Sequence, residues 1–211
     1  MLNSPAALHI NTLTLSVNGE ALLGPLTFDV NAGEILTLMG ASGCGKSSLL
    51  AAIAGHLPPS FQVNGECWLG NNNLLLQTAQ QRRIGLLFQD DLLFPHLTVE
   101  ENLLFALPAE TPNRKQKVRQ SLEKISMHEL ISRYPHALSG GQKARIGLLR
   151  TLLSVPKALA LDEPFAKLDK PLRRDFKAWA FKHIQEANIP ALLVTHDEED
   201  APIGGKILRL T

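Results

Sequence analysis

Apolar and polar residues alternate from Leu8 to Val30, with a break at Asn18-Gly19. A period of two is typical of strands that bury one face, and Asn-Gly favours a type I′ turn because both of its residues accept positive φ. The pattern therefore predicts a β-hairpin that turns at Asn18-Gly19. Asn64-Gly65 also separates two short apolar segments and, by the same rule, predicts a second hairpin turn.

Other short runs are apolar without interruption, namely Ile35–Met39, Ala158–Leu161 and Ala191–Val194. Such runs are typical of parallel strands buried on both faces, and each is followed by Gly, Asp or Thr-His, where strand ends carry ligand chemistry. Helical periodicity lies between them, and residues 114–155 show little strand character. We therefore expect an α/β fold: a mostly parallel sheet flanked by helices, an N-terminal antiparallel β region and a helical subdomain.

Composition narrows the class of protein. The length of 211 residues suits one large domain, and a formal net charge of +1 gives no bulk reason to expect nucleic acid or anionic lipid as the main partner. Two cysteines, Cys44 and Cys67, are too few for a disulfide framework. We see no signal peptide and no stretch near the ~20 apolar residues of a membrane span, so another chain would supply any span.

A glycine-rich loop, Gly-Ala-Ser-Gly-Cys-Gly-Lys-Ser, follows the first apolar run and precedes a helical segment, Ser48–Ala54. It fits G-x-x-x-x-G-K-[ST], in which backbone N–H groups and a helix start surround phosphates. We expect Lys46 to reach the β- and γ-phosphates and Ser47 to bind Mg²⁺. The alternative is a strand-to-helix turn without a ligand. The predicted nucleotide-binding residues here are Gly40, Ala41, Ser42, Gly43, Cys44, Gly45, Lys46, Ser47 and Ser48.

Two carboxylates, Asp162 and Glu163, end the second apolar run. Such a pair is often a helix cap or a solvated turn. Beside a phosphate loop, however, Asp162 is a natural Mg²⁺ partner for Ser47, and Glu163 can accept a proton from the attacking water. We therefore predict Asp162 as a metal ligand and Glu163 as the catalytic base.

A second glycine-led helix start occurs at Leu138-Ser-Gly-Gly-Gln142, ahead of an apolar-periodic helix. Ser139 is a natural N-cap, and the glycines are turn residues. The same residues also form a second anion-binding helix start. One chain needs only one such start for a single nucleotide, so the second requires another explanation.

Over nearly its full length the chain resembles an ABC transporter ATPase, with its P-loop NTPase core. The order and spacing of the motifs match as well as their residues. Gly40–Ser48 resembles the Walker A motif, Ala158–Glu163 resembles the Walker B motif, and Leu138–Gln142 resembles the family signature. Gln89 corresponds to the Q-loop glutamine, Leu168-Asp169 to the D-loop, and His196 to the switch histidine of that family.

The resemblance implies that ATP, with Mg²⁺, lies between two subunits arranged head to tail. The phosphate loop of one subunit would face the signature residues of the other, and ATP would favour the closed dimer. Gln89 would lie near Mg²⁺ and the attacking water, and His196 would contact the γ-phosphate. The signature and D-loop residues assigned to nucleotide binding are Ser139, Gly140, Gly141, Gln142 and Asp169.

The apolar segment Leu92–Val99 leaves two interpretations open: a core segment, or a groove for a coupling helix of a membrane partner. It resembles the equivalent segment of solute importers. We therefore expect a motor for solute import that lies at the cytoplasmic face of the inner membrane. Its expected partners are a second ABC ATPase subunit, identical or not, separate permease subunits and a solute-binding protein. We expect no nucleic-acid partner. The alternative is a soluble ABC ATPase in a non-transport assembly or repair process.

We expect one ABC ATPase domain, 1–211, with an ATP-binding core at 1–88 and 156–211 and a helical subdomain at about 90–155. The chain departs from the family at Val17, where an aromatic residue usually stacks on adenine, and at Lys167 in the D-loop. Cys44 lies inside the phosphate loop and leaves two interpretations open: a small side chain without a catalytic role, or a thiol that the loop's positive environment makes reactive.

Overall fold

The described residues, 6–88 and 92–210 of the computed structural model, fall into two units. The first unit contains residues 6–86, 157–163 and 181–210, and the second contains the remaining described residues. The strands are β1 (Leu8–Val17), β2 (Glu20–Val30), β3 (Ile35–Gly40), β4 (Phe61–Leu69), β5 (Asn72–Asn73), β6 (Ile84–Leu87), β7 (Ala158–Asp162), β8 (Ala191–Val194) and β9 (Ile207–Leu210). The helices are α1 (Lys46–Ala54), α2 (Ala79–Arg82), α3 (Val99–Ala106), α4 (Arg114–Lys124), α5 (Gly140–Leu153) and α6 (Lys170–Ala187).

An antiparallel sheet in the order β2-β1-β4-β5 belongs to the first unit. β1 and β2 form the predicted hairpin, with Val17 opposite Glu20 and positive φ at both Asn18 (52°) and Gly19 (86°). The inward side chains of β1, which include Leu8 and Ile10, are buried in the core. The alternation of residues in this segment therefore predicted both the strands and their buried face.

The prediction of a second hairpin at Asn64-Gly65 is wrong. Both residues lie inside one continuous strand, β4, which pairs with β1 on either side of them. Gly65 has φ +105°, and a Cβ there would lie 2.5 Å from the Thr12 carbonyl oxygen. The pairing register shifts between Asn11 and Thr14, so the glycine accommodates a bulge against β1 rather than a chain reversal.

A five-stranded sheet has the order β6-β7-β8-β3-β9. The three predicted runs became β3, β7 and β8, whose pairings are parallel and which are buried almost throughout. β9 pairs parallel with the other side of β3 and was not predicted. The carboxyl ends of β3, β7 and β8 are adjacent, so the residues that follow these strands meet at one edge. The expected α/β class is confirmed.

The second unit is mainly helical. α3 contacts both α4 and α5, and the apolar side chains of α5, among them Ile146 and Leu149, are buried. Residues 164–180 also lie in this unit, whereas the sequence-based division assigned them to the ATP-binding core. The rings of Phe165 and Phe176 pack edge to face at 6.3 Å, which joins the start of this segment to α6. Among the described helices, none is both long and apolar enough to span a membrane.

Candidate functional site

The phosphate loop connects β3 to α1, as the sequence predicts. Gly43 and Gly45 have φ of +83° and +91°, and a Cβ at Gly40 would lie 2.5 Å from the Leu210 carbonyl oxygen. Glycine is therefore required at these positions by conformation or by space. Gly45 occupies the N-cap of α1, and the first turn contains no acidic residue. The positive end of α1 is thus left to an anionic ligand.

The Lys46 ammonium lies inside this loop. Its Nζ donates hydrogen bonds to the carbonyl oxygens of Gly40 (2.9 Å) and Ala41 (2.7 Å), and it lies 3.7 Å from Cys44 Sγ. Cys44 is half-buried and unbridged. A positive charge is therefore placed beside the backbone that precedes α1, where a phosphate would bind.

Asp162 lies at the end of β7 with only 7% of its surface exposed. Burial raises the pKa of its carboxyl, an effect opposed by a hydrogen bond with the Ser47 side chain and by the charge of Lys46. The Ser47 hydroxyl and the Asp162 carboxyl thus form an oxygen pair of the kind Mg²⁺ prefers. These two residues fit the metal-binding role predicted for them.

Glu163, the next residue, leaves the strand with φ 46°, in the left-handed region that is sparsely populated by residues other than glycine. Its N–H donates to the Val194 carbonyl (2.9 Å), so the turn is attached to β8. Its Oε1 lies 3.1 Å from His196 Nδ1, and the two side chains are 23% and 68% exposed. The structure therefore brings the predicted base and the predicted γ-phosphate sensor into direct contact.

The loop that carries His196 is fixed by residues that the sequence analysis did not single out. Thr195 Oγ1 donates to Asp200 Oδ2 (2.9 Å), and both residues are buried. Thr195 Oγ1 also accepts from the Asp197 N–H (3.1 Å). An acidic run directly after a buried strand was the available signal, and it marks a loop whose conformation positions the histidine.

In the second unit, Ser139 caps α5 through a reciprocal pair of hydrogen bonds. Ser139 Oγ accepts from the Gln142 N–H (3.2 Å), and Gln142 Oε1 accepts from the Ser139 N–H (2.9 Å). A Cβ at Gly141 would lie 3.0 Å from Leu168 Cδ2, and Asp169 Oδ1 accepts from the Leu172 N–H (3.0 Å). The signature glycines are thus packed against the predicted D-loop, and both Gln142 and Asp169 have capping roles.

The predicted site residues therefore form two groups. Gly40–Ser48, Asp162, Glu163 and His196 belong to the first unit, and Ser139–Gln142 and Asp169 belong to the second. Gln89, predicted to lie near Mg²⁺ and the attacking water, is outside the described residues.

The segment before α3 is held by a buried amide. Asn102 Nδ2 donates to the carbonyl oxygens of Phe94 (3.1 Å), Leu97 (3.1 Å) and Thr98 (3.0 Å), and its Oδ1 accepts from the Phe94 N–H (2.9 Å). The Arg150 guanidinium lies 5.4 Å from the centre of the Phe94 ring. These contacts fix the backbone of the apolar segment.

The two interpretations of Leu92–Val99 apply to different parts of it. Val99 is buried at the start of α3, whereas Leu92 is 59% exposed. Phe105 is 69% exposed and packs edge to face against Phe94 at 4.8 Å. An aromatic pair therefore lies at a partly exposed apolar surface.

Comparison with known proteins gives a consistent result. The ABC transporter family matches residues 23–166. An uncharacterized ABC transporter ATP-binding protein of Escherichia coli K12, YnjD, is 43% identical over 203 residues, which cover 95% of this chain and 94% of that protein. The Fe(3+) ions import ATP-binding protein FbpC 2 of Haemophilus influenzae is 38% identical over 209 residues. The match covers 95% of this chain but only 57% of the length of FbpC 2.

A solved structure gives the same assignment. That structure is a dimeric ATP-binding cassette in a post-hydrolysis state bound to ADP and Pi. Its TM-score against this chain is 0.82 and its sequence identity is 26%, and the match covers 97% of this chain and 94% of that one. The phosphate loop, the carboxylate pair after β7 and the serine-capped glycine helix start agree with this relationship. The chain belongs to the ABC transporter family, as an ATP-binding subunit that hydrolyses ATP.

Proposed function

We propose that this chain is the ATP-hydrolysing motor of an ABC importer and works as a dimer beneath separate membrane subunits. The observation that carries the proposal is that one chain holds two groups of residues whose chemistry suits nucleotide binding. One group comprises the phosphate loop with Asp162, Glu163 and His196, and the other is the glycine-led start of α5 capped by Ser139. A head-to-tail dimer uses both groups at each nucleotide.

The first group grips the triphosphate. Lys46 contacts the β- and γ-phosphates, and the N–H groups at the start of α1 surround them. Ser47 and Asp162, with Gln89, would hold Mg²⁺, which would neutralise phosphate charge. The loop of residues 40–45 suits this ligand because its backbone has positive φ at Gly43 and Gly45 and leads directly into the N-terminus of α1.

Hydrolysis depends on the pair at the end of β7. Glu163 accepts a proton from the attacking water, and His196, in contact with its carboxylate at 3.1 Å, orients that carboxylate and contacts the γ-phosphate. The positive φ of Glu163 takes the backbone out of strand geometry at this residue. The base is therefore positioned by the backbone and by a neighbouring side chain.

The second group completes the site of the partner copy. Ser139, Gly140 and Gly141 contact the γ-phosphate of ATP bound to the other subunit, with Gln142 and Asp169 shaping the loops on either side. Only the closed dimer makes both sets of contacts, so ATP favours closure and hydrolysis removes that preference. The solved neighbour, itself a dimer with ADP and Pi, supports this arrangement.

Import through separate permeases is supported by the relatives whose names specify import, including FbpC 2 and the sulfate/thiosulfate import protein CysA. The apolar surface around Leu92 and Phe105 offers a place for a coupling helix of a permease, which in turn would receive solute from a solute-binding protein. The chain then lies peripherally on the cytoplasmic face of the inner membrane. A soluble assembly or repair role is not favoured by these relatives.

Affinity purification from membranes in mild detergent tests the proposal. We expect a multi-span membrane protein to co-purify with the chain. This protein should no longer co-purify when Phe105, at the proposed docking surface, is changed to Asp. Full-speed ATP hydrolysis by a strictly monomeric chain, with no membrane protein recovered, would refute the shared-site motor.

Two variants of Ser139 test the contact in trans. Ser139→Arg should bind ATP but neither close the dimer nor hydrolyse. Ser139→Asp keeps the N-cap of α5 but places a negative charge against the partner's phosphate, so it should fold normally and show the same loss. Ser132→Arg, an exposed serine in the same unit, is the matched control. Normal ATP-dependent dimerisation of both Ser139 variants, measured by light scattering, would contradict the model.

A further inference from the structure

Arg82, the last residue of α2, is a buried arginine, with 8% of its surface exposed. Its Nη1 donates to the carbonyl oxygens of Ala52 (2.6 Å) and Ile53 (3.0 Å), and its Nε donates to the Gln77 carbonyl oxygen (3.0 Å). Burial lowers the pKa of Arg82 and raises the pKa of the neighbouring Cys67 thiol to about 12, so Cys67 stays neutral. These backbone carbonyl groups therefore solvate the guanidinium charge.

The first two acceptors are the carbonyl groups at the C-terminal end of α1. The carbonyl groups at a helix end lack the regular partner four residues on, although the Ala52 oxygen also accepts from the Gly55 N–H (3.3 Å). A cation beside them complements the negative end of the helix dipole. The chain leaves room for the guanidinium by placing a glycine, Gly55, at the C-cap of α1, with φ +82°. A Cβ at Gly55 would lie 2.9 Å from Arg82 Nε and 3.0 Å from Arg82 Cζ.

The opposite end of α1 carries Lys46 and Ser47. This helix has 9 residues and a length of roughly 13 Å at 1.5 Å per residue. A helix this short moves as one body, so a shift at its C-terminal end is transmitted to the residues that contact phosphate. Interactions that fix the C-terminal end therefore set the position of the phosphate-binding end.

Arg82 also connects α1 to a second part of the first unit. Arg83, the next residue, has φ 53° and precedes β6, and its carbonyl oxygen accepts from the Lys157 N–H (2.9 Å) just before β7. β7 ends at Asp162. The segment around Arg82 is thus bonded both to the phosphate-binding helix and to the start of the strand that carries the acidic pair.

We infer that Arg82 is a positioning residue for nucleotide binding and hydrolysis: its guanidinium holds the C-terminal end of α1 and so places Lys46 and Ser47 against the phosphates. The inference rests on the proposed function, which assigns phosphate contact to these two residues. A displacement of about 1 Å can cost roughly 100-fold in rate, so a loosened α1 is expected to have a large effect.

The test compares Arg82→Met and Arg82→Lys with Lys182→Met, which removes an exposed cation elsewhere in the first unit. Thermal unfolding is measured first, and all other measurements are made below the unfolding transition of each variant. Arg82→Met should lower kcat/KM by about 10- to 100-fold and raise the Kd for ATP, measured by calorimetry, by at least about fivefold. Arg82→Lys should lie between Arg82→Met and the wild type, because its ammonium still donates to a carbonyl at the end of α1. Lys182→Met should match the wild type.

A role confined to stability gives another result: Arg82→Met unfolds at a lower temperature but keeps wild-type kcat, KM and Kd, and the inference is then wrong. If Arg82→Met fails to fold, the Arg82→Lys variant decides: wild-type kcat/KM and Kd in that variant would also show that the inference is wrong. The calorimetric titrations are made without Mg²⁺, so that ATP is not hydrolysed and the Kd does not depend on turnover or transport. If the wild type binds ATP without hydrolysing it, the proposed function fails, while the affinities still decide the role of Arg82.

Discussion

Replacing Glu163 by Gln removes the proposed proton acceptor and little else. The amide has nearly the same size and shape, and the backbone hydrogen bond from Glu163 to Val194 (2.9 Å) does not involve the side chain. The amide can still form a hydrogen bond with His196 Nδ1, which lies 3.1 Å from the present carboxylate. We therefore expect the fold, the positive φ at residue 163 and the affinity for ATP to be retained.

The expected loss is in turnover. A positioned general base contributes about 10²- to 10⁴-fold, which corresponds to about 3–5 kcal/mol of activation free energy. The assay is phosphate release from saturating MgATP, with ATP affinity measured separately by calorimetry. Glu66→Gln, an exposed glutamate on β4 in the same unit, is the matched control and should hydrolyse ATP like the wild type.

Two results would refute the assignment. Turnover of Glu163→Gln above about a tenth of the wild-type rate would remove Glu163 from the role of base, because the lower bound for that role is roughly 100-fold. A loss of turnover accompanied by an equal loss of ATP affinity would show that the substitution disturbs the site as a whole. In that case the contact with His196 would be structural.

Three further predictions concern the same site. Because burial raises the pKa of Asp162 above its ordinary 3.8, its contribution to stability is present below that value and lost as the pH rises through the folded-state pKa. Asp162→Asn should therefore raise Tm near neutral pH, with a gain that shrinks as the pH falls towards about 4, while abolishing Mg²⁺-dependent hydrolysis; a pH-independent Tm difference would contradict this. Cys44 Sγ lies 3.7 Å from Lys46 Nζ, so alkylation of this thiol by N-ethylmaleimide should inactivate the enzyme, and bound ATP should protect against it. The Cys44→Ala variant should resist inactivation. If it is inactivated at the wild-type rate, Cys44 is not the reactive thiol. Val17 cannot stack on adenine as an aromatic side chain would, and such stacking is worth ~1–3 kcal/mol. The kcat/KM for GTP should therefore lie within about tenfold of that for ATP. A preference for ATP above about a hundredfold would show that another residue recognises the base.

Local patterns were sufficient where the chemistry requires consecutive residues. The phosphate loop, the acidic pair after β7 and the capped start of α5 are each contiguous, so residue type and spacing predicted them directly. The buried strands β3, β7 and β8 were also predicted, because strands covered on both faces have uninterrupted apolar sequences. The hairpin at Asn18-Gly19 follows from its turn residues alone.

Contacts between distant segments could not be predicted in this way. Asn64-Gly65 has the same composition as a hairpin turn, but pairing with β1 on both sides makes it a bulge within β4. β9 is short and only partly buried, and it is recognisable as a strand only beside β3. The local preference is overridden in the first case and too weak in the second.

Residue types and their local spacing specify which groups are available for chemistry: a lysine and a serine after glycines, a carboxylate pair after a buried strand, and a serine-capped helix start. Which of these groups act together depends on how the chain folds. The 3.1 Å contact between Glu163 and His196 and the burial of Arg82 against the end of α1 join residues far apart in the chain. Parallel strand order and packing create such contacts, because they place the ends of separate elements side by side, and no local pattern encodes that placement.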